Sequence, residues 1–575
     1  MTTYTSACLG LFPGSAECTD AFAWALEQLP DGSTLRLEPG EYRFHAASAG
    51  LGDYSLSNSD ILDQRRLSVL LRGRHDVTLD GCGARLVFHG QTMPFTLDGC
   101  SGVTLKNFTI DWDIPLTAEG VVEASCDSCV DISIDPELYP FHLEEDTLVF
   151  DGGDWHEPVW QWGNTEFDTR TGQVAAGRGD TWPRTTQQLL ENGLVRFSGS
   201  FAGHRPQSGN VVVLRHGRRE HAGIFVHNSE NVCLENITMH ANGGLGILAQ
   251  FSRDLTFRRI RMEPDRAAGR LFAGGHDDGI HLSADSGLIT VEECSFMGLM
   301  DDPLNLHGIA ARLERVENRR TVIGRFVHPQ SNGFDLWALP GHAIAVLDGQ
   351  DMHSLGTVRT RAFTLLDREL FRLELEEELP AEAEAGASLE NMSRTAALVC
   401  RRNRFGACRA RGVLCCTPRP VLIEDNVFES AGAAILIPGD ACTWYESGRC
   451  RDVTIRGNYF APCCLRSEYL SGDAVISIHP ELPAPRADRP CHTNITVEDN
   501  TFHTADGRVL YALCTSGLRF CGNRILRSYA LPAQRENSPL VTTQHCTGVA
   551  VSRNVLVGDV VGGELFKKEY PDETD

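Results

Sequence analysis

The chain has 575 residues, 42% of them hydrophobic, with 55 glycines and a formal net charge of −25. This content excludes a disordered chain and suits a folded, turn-rich, all-β protein. The acidic balance excludes a nucleic-acid partner, because a polyanion would be repelled and no basic patch offsets it.

The N-terminus, Met1-Thr2-Thr3-Tyr4-Thr5, has no charged segment leading into an apolar one, so no signal peptide is expected. No window reaches the roughly 18 uninterrupted apolar residues of a membrane span. The expectation is a cytoplasmic chain with no membrane partner, or a secreted one if a leader has been removed. The next stretch, Ala21 to Leu29, has a helical pattern that Asp20 can cap and that Pro30-Asp31-Gly32 stops. Thr34 to Phe44 then reads as strand, Pro-Gly turn and strand. Helix followed by leucine-rich strand resembles the start of many pectate-lyase-like right-handed β-helices, where a helix covers the open end of the solenoid.

From there one motif recurs: alternating apolar residues, often an asparagine, then further apolar positions. It occurs at 103–110, 232–239, 255–262, 289–296, 398–405, 421–428, 453–460, 495–502, 518–525 and 549–556. Starts 23 residues apart, or 31 to 42 where the gap is longer, fit a three-sided coil with loops on one side. The asparagine suits the bend between two faces, where it can bond to neighbouring backbone and tolerate unusual φ, and stacked copies would form a ladder. Cysteine, present 20 times, makes no paired zinc signature. Cys126-Asp127-Ser128-Cys129 stands alone, and Cys233, Cys294, Cys400 and Cys521 lie in strand-like windows. Reduced structural thiols acting as small buried hydrophobes are expected.

Two intervals break the repeat, each long enough for an antiparallel β-domain. The first contains Trp155, Trp160, Trp162 and Phe167, and ends in the basic run Arg215-His216-Gly217-Arg218-Arg219, which reads as a solvated turn. The second alternates cleanly through Arg320 to Val327, Ala343 to Leu347 and Phe371 to Leu375, and its acidic stretch from Glu376 to Glu384 reads as a solvated hairpin. The expected organisation is a cap and first coils over 1–112, an inserted β-domain over 113–220 and central coils carrying the site over 221–308. A second, barrel-like insert follows over 309–397, then C-terminal coils over 398–575.

The central coils carry two acidic pairs 24 residues apart, Gly275-His276-Asp277-Asp278-Gly279-Ile280-His281 and Gly298-Leu299-Met300-Asp301-Asp302-Pro303-Leu304-Asn305-Leu306-His307-Gly308. On successive coils they would sit one strand spacing apart, about 4.8 Å. Carboxylates that close reach the separations used in glycoside hydrolysis, about 5–5.5 Å for retention and 6.5–9.5 Å for inversion. Their repulsion also raises one pKa and so supplies an acid beside a base. Alternation puts Asp301, Asn305 and His307 outside with Leu304 and Leu306 inside, and Asp302 inside unless the strand begins after it. In the first motif it leaves Asp277 and His281 outside, favouring Asp277 over Asp278 unless Gly279 resets the phase. Turn chemistry, or a calcium site as in pectate lyases, is the alternative, weakened by histidine being a poor calcium ligand. Asp111-Trp112-Asp113 and Trp444-Tyr445-Glu446-Ser447-Gly448 offer aromatic platforms with adjacent carboxylates, which suit sugar binding.

On these residues the sequence resembles glycoside hydrolase family 110, bacterial α-1,3-galactosidases that remove terminal α-galactose from linear or branched, blood-group-B-like glycans. Asp278, the Met300 to Gly308 element, Val327-His328-Pro329-Gln330-Ser331-Asn332-Gly333-Phe334-Asp335, Trp444 to Gly448 and Ile110-Asp111-Trp112 carry the resemblance. It implies a right-handed parallel β-helix with two β-barrel-like insertions, and metal-independent, inverting hydrolysis without a cofactor. The family's acidic trio falls on Asp278, Asp301 and Asp302, choosing Asp278 where alternation favoured Asp277. Asp111, Trp112, Asp277, His281, Asn305, His307, Trp444 and Glu446 are the expected sugar-binding residues. Rival readings are a β-helical polysaccharide lyase or polygalacturonase-like enzyme, and a non-catalytic glycan-binding solenoid. The partner is a carbohydrate in each case. The oligomeric state stays open, a homodimer being one alternative.

Overall fold

A computed structural model describes residues 2–177, 182–203, 205–467, 473–505, 507–531, 538–558 and 566–569. Its body is a parallel β-helix with three strands per coil. One coil runs through Arg253–Arg258, Arg261–Met262 and Ile280–Ser283, and the next through Ser286–Glu292, Ser295–Phe296 and the strand opening at Leu304. Leu398 lies beside Val421, Val421 beside Val453 and Val453 beside Ile495, so the sequence repeat is the physical stacking register.

The alternation has the expected cause: every second side chain enters the core, where Leu398, Cys400, Ile423, Ile455 and Val497 are buried. Phenylalanines 296, 405, 428, 460 and 502 stack ring over ring, with centroids 4.6 to 5.5 Å apart. Each such pair contributes about 0.5–1.5 kcal/mol beyond its buried area.

The asparagines do form a ladder. Asn403, Asn426, Asn458, Asn500 and Asn523 each donate from Nδ2 to the Oδ1 of the next, the last to Asn554, over 2.9 to 3.1 Å. In the early coils the asparagine itself takes the left-handed conformation, Asn107 at φ 62° and Asn236 at φ 52°. In the later coils the residue before it does, as at Arg402, Asp425 and Asp499. Among the described residues none of the 20 cysteines is in a disulfide; Cys294, Cys400 and Cys521 are buried and Cys233 is half-buried.

The helix is Thr19–Gln28, starting two residues before its apolar pattern and ending one residue short of it. Asp20 lies within its first turn and does not cap it. Instead Glu17 accepts the Thr19 N–H at 2.7 Å. Among the described residues no helix is long and apolar enough to cross a membrane.

Two antiparallel units interrupt the solenoid. The first is a seven-stranded sheet in the order Gln173–Val174, Thr165–Asp168, Val211–Arg215, Thr117–Ser125, Cys129–Ile134, Val195–Ser198, Thr186–Leu189. The second is a closed six-stranded barrel: Leu304–Asn318 pairs with Thr321–Arg325, then Leu370–Leu375, Ser354–Leu365, Ala343–Leu347 and Ser388–Asn391, which returns to the first. Trp337, Phe371 and Leu373 fill its interior. Leu304–Asn318 serves both bodies, opening as a solenoid strand beside Ile280–Ser283 and running on into the barrel. The chemistry-bearing residues gather at that shared strand.

Candidate active site

The two acidic pairs stand side by side on neighbouring coils. Gly275 bridges Leu299 and Ile280 pairs with Leu304, which keeps the 24-residue offset through both motifs. The strands start only at Ile280 and Leu304, so all four aspartates occupy the turns before them and strand alternation does not govern their direction. Gly279 permits the close stacking: a Cβ there would come 2.5 Å from the Pro303 carbonyl oxygen. Asp278, Asp301, Asp302 and Asn305 line a cavity of about 290 Å³ that runs along later coils to Ser477 and His479. Asp277 turns the other way, into an ion pair with the buried Arg215 and a 2.7 Å hydrogen bond with His276 Nδ1. Asp278, not Asp277, is therefore the residue of its pair that lines this cavity, while Asp277 borders a second one beside it.

Arginines hold this cluster together. Arg219 reaches Asp278 and Asp301 from one nitrogen at 3.2 Å each, and Asp277 from Nε at 3.2 Å. Arg411 pairs with Asp302 at 2.7 Å and donates its backbone N–H to the same carboxylate at 3.0 Å. Burial still pushes the Asp278 carboxyl up to about 8, helped by the charge of Asp301 and opposed by Arg219. Burial does the same to Asp302, again to about 8 and against Arg411. For Asp301 burial acts upward too, but Arg219, Arg409 and Arg411 outweigh it and hold its carboxyl below the usual range. One site thus keeps protonated and ionised carboxyl groups together near neutral pH.

Behind Asp278 runs a chain of imidazoles. Its Oδ2 lies 2.6 Å from His281 Nδ1, His281 Nε2 lies 2.9 Å from His307 Nε2, and His307 Nδ1 lies 2.7 Å from the Gly308 carbonyl oxygen. Glu446 closes the chain, 3.7 Å from His307 and accepting from Asn58 Nδ2 at 2.5 Å. It is placed there by antiparallel pairing of Glu446 with Ile309 on the shared strand. The Val327 to Asp335 motif supports this wall: His328 stacks on Trp444 at 3.9 Å, and Ser331 donates to Asn58 Oδ1 at 2.9 Å.

Of the expected residues, Asp278, Asp301, Asp302, Asn305, Trp444 and Glu446 meet at the cavity. His281 and His307 stand directly behind it, both buried. Asp111 and Trp112 do not belong to it, which corrects their reading as sugar-binding residues. Asp111 is 0% exposed and accepts from Arg270 at 2.9 and 2.6 Å and from Arg85 at 2.7 Å. Trp112 is buried against Phe88, its indole N–H donating to the Gly90 carbonyl. A carboxylate saturated by guanidinium groups, and a ring with no open face, cannot receive a sugar.

The basic run is the second correction. Arg215 and His216 are buried and Arg219 bridges the aspartates, so this segment is no solvated turn. Arg219, Arg411 and Asn58 were missed as site residues. Charge balance was the available signal for the arginines: three carboxylates in one buried cleft need nearby cations. Three groups among the described residues could hold a metal ion, and one of these, Asp440 with Cys442 and Glu481, contributes Asp440 and Glu481 to the cavity lining.

Residues 118–212 match the family model described as GLAA-B beta-barrel domain I. Over 94% of its length the chain is 40% identical to an enzyme of Bacteroides thetaiotaomicron named alpha-1,3-galactosidase B, covering 88% of that protein. It is 31% identical, over 91% of its length, to alpha-1,3-galactosidase A of Bacteroides fragilis, covering 87% of it. It is 30% identical, over 93%, to alpha-1,3-galactosidase B of Parabacteroides distasonis, covering 90%.

Proposed function

The chain belongs to the alpha-1,3-galactosidase family, and from that membership we propose that it is a glycoside hydrolase releasing terminal α-1,3-linked galactose. Its substrates are linear Galα1-3Gal ends, branched blood-group-B-like ends, or both, and it works with inversion and without a metal or cofactor.

The observation that carries this reading is the split within one carboxylate cluster. Asp278 and Asp302 are raised to about 8 while Asp301 is held low. Hydrolysis with inversion needs one carboxylic acid to protonate the departing oxygen and one carboxylate to activate water on the opposite face. Arg219 spans Asp278 and Asp301, so their nearest oxygens lie within twice its 3.2 Å reach of each other. Asn305 and Glu446, on the same cavity, supply partners for sugar hydroxyls, and Trp444 supplies an aromatic face.

Proton NMR of the protein with Galα1-3Gal tests this directly. Prompt release of β-galactose supports the reading, first release of α-galactose overturns inversion, and no release overturns the activity. Asp278→Asn, Asp301→Asn and Asp302→Asn then separate the roles on α-galactosyl fluoride, whose leaving group needs no protonation. Loss of the acid should spare the fluoride, whereas loss of the base should abolish turnover of both substrates. Unchanged turnover in all three variants would refute the site.

A further inference from the structure

A second, wider cavity of about 1050 Å³ adjoins the first. The two share Arg219, Asp301 and Trp444, so they meet at the carboxylate cluster. The wall of the second comes from the first inserted unit: Trp160 and Trp162, with ring centres 4.8 Å apart at 33°. Trp160 is fixed on three sides. Its indole N–H donates to the Gly217 carbonyl at 2.6 Å, its ring meets His276 edge-on at 5.2 Å, and the Arg215 guanidinium lies 4.2 Å from its ring centre. Trp162 leans on Trp160 and lies 5.5 Å from the same guanidinium, yet remains 57% exposed.

An exposed indole on a rigid base, opening onto a cavity that ends at the reacting carboxylates, is built to receive something. We propose that Trp160 and Trp162 form the platform for the sugar on the leaving side of the scissile bond, which rests on the galactosidase reading above. The cavity of about 290 Å³ that contains all three cluster aspartates takes the terminal galactose. The remainder of the glycan must then leave past Asp301, the one cluster aspartate of the three that lines both cavities. A pyranose has an apolar C–H face that stacks on an indole, and Gln161 and Arg218 on the same cavity can bond its hydroxyls. The pair is preorganised, since Arg215, which supports both rings, is itself held by Asp277 beside Asp278.

The test compares Trp162→Ala and Trp162→Phe with the unmodified protein on Galα1-3Gal and on α-galactosyl fluoride, which has no leaving-side sugar. Stacking of this kind predicts that Trp162→Ala loses about tenfold or more in kcat/KM on the disaccharide and less than about twofold on the fluoride. Trp162→Phe should recover most of the loss. Equal losses on both substrates would make Trp162 a structural residue, and no loss on the disaccharide would remove the platform; either overturns the proposal. Hydrolysis of neither substrate by the unmodified protein would instead overturn the galactosidase reading, and this inference with it.

Discussion

Asp278 Oδ2 lies 2.6 Å from His281 Nδ1, and this contact ties the carboxylate cluster to a hydrogen-bonded chain that runs through His307 to the Gly308 carbonyl. The Gly308 carbonyl can only accept, so His307 Nδ1 carries a hydrogen and one further hydrogen lies between the two facing Nε2 atoms. Burial and the neighbouring His307 depress the His281 pKa well below its ordinary value, so His281 carries one proton. Two arrangements with the same number of protons satisfy every bond. Either Asp278 is protonated and His307 uncharged, or the proton has moved through His281 and His307 is the cation.

His281→Asn keeps a polar group near Asp278 but cuts the link to His307. It should lower kcat on Galα1-3Gal by about 10²-fold with KM little changed, within the range of lost acid–base assistance. Steady-state kinetics decides this, and an unchanged kcat would show that the imidazoles only pack.

The free enzyme should lose activity as pH rises through about 8, where Asp278 and Asp302 give up their protons. It should keep activity down to below the ordinary carboxylate range, because Asp301 is held low. Arg219 lowers the carboxyls of both Asp278 and Asp301, so Arg219→Gln should move both limbs of the kcat/KM profile to higher pH. Arg219 already supplies positive charge where a cation would otherwise sit, so EDTA should leave the rate unchanged. Inhibition by EDTA would direct attention to Asp440, Cys442 and Glu481.

The same burial carries a stability cost. A carboxyl whose folded pKa is raised binds its proton more tightly in the native state, so stability is full below the unfolded value of about 3.9 and falls as pH rises towards the folded value. Asp278→Asn removes that dependence and can still donate to His281. Its denaturation midpoint should equal that of the unmodified protein near pH 4 and exceed it increasingly up to pH 8. A constant difference across that window would contradict the raised carboxyl.

Within the ladder, Asn458 Oδ1 accepts from the Asn426 backbone N–H and Nδ2 at 2.9 Å each, while its Nδ2 donates to the Ile423 carbonyl at 2.9 Å and to Asn500 at 3.0 Å. Asn458→Leu would take the side-chain partner from the Asn426 backbone N–H and the Ile423 carbonyl, at about 1–3 kcal/mol for each, while Asn426 Nδ2 keeps the Cys400 carbonyl and Asn500 Oδ1 keeps the backbone N–H of residue 458. Denaturant unfolding should show a total loss of roughly 2–6 kcal/mol. The kinetic constants should not change, since the ladder lies away from the cavity residues.

The sequence by itself determined the solenoid, because period-2 alternation, a recurrent bend asparagine and spacings of 23 residues are local signals repeated many times. It also brought Asp278, Asp301 and Asp302 together, since the 24-residue offset is the coil length at that point. What it lacked was direction and long-range pairing. Asp277 and Asp278 are neighbours in a turn, and only the packed coil shows one facing Arg215 and the wider cavity and the other the smaller cavity with Asp301 and Asp302. Arg219 lies in a run that looks like surface, and the aspartates it bridges are 59 and 82 residues away. Asp111 has the composition of a sugar platform but is filled by Arg270, 159 residues on. Tertiary structure decided these because the pairing of buried charges depends on which loops the fold brings together, and no periodicity along the chain records it.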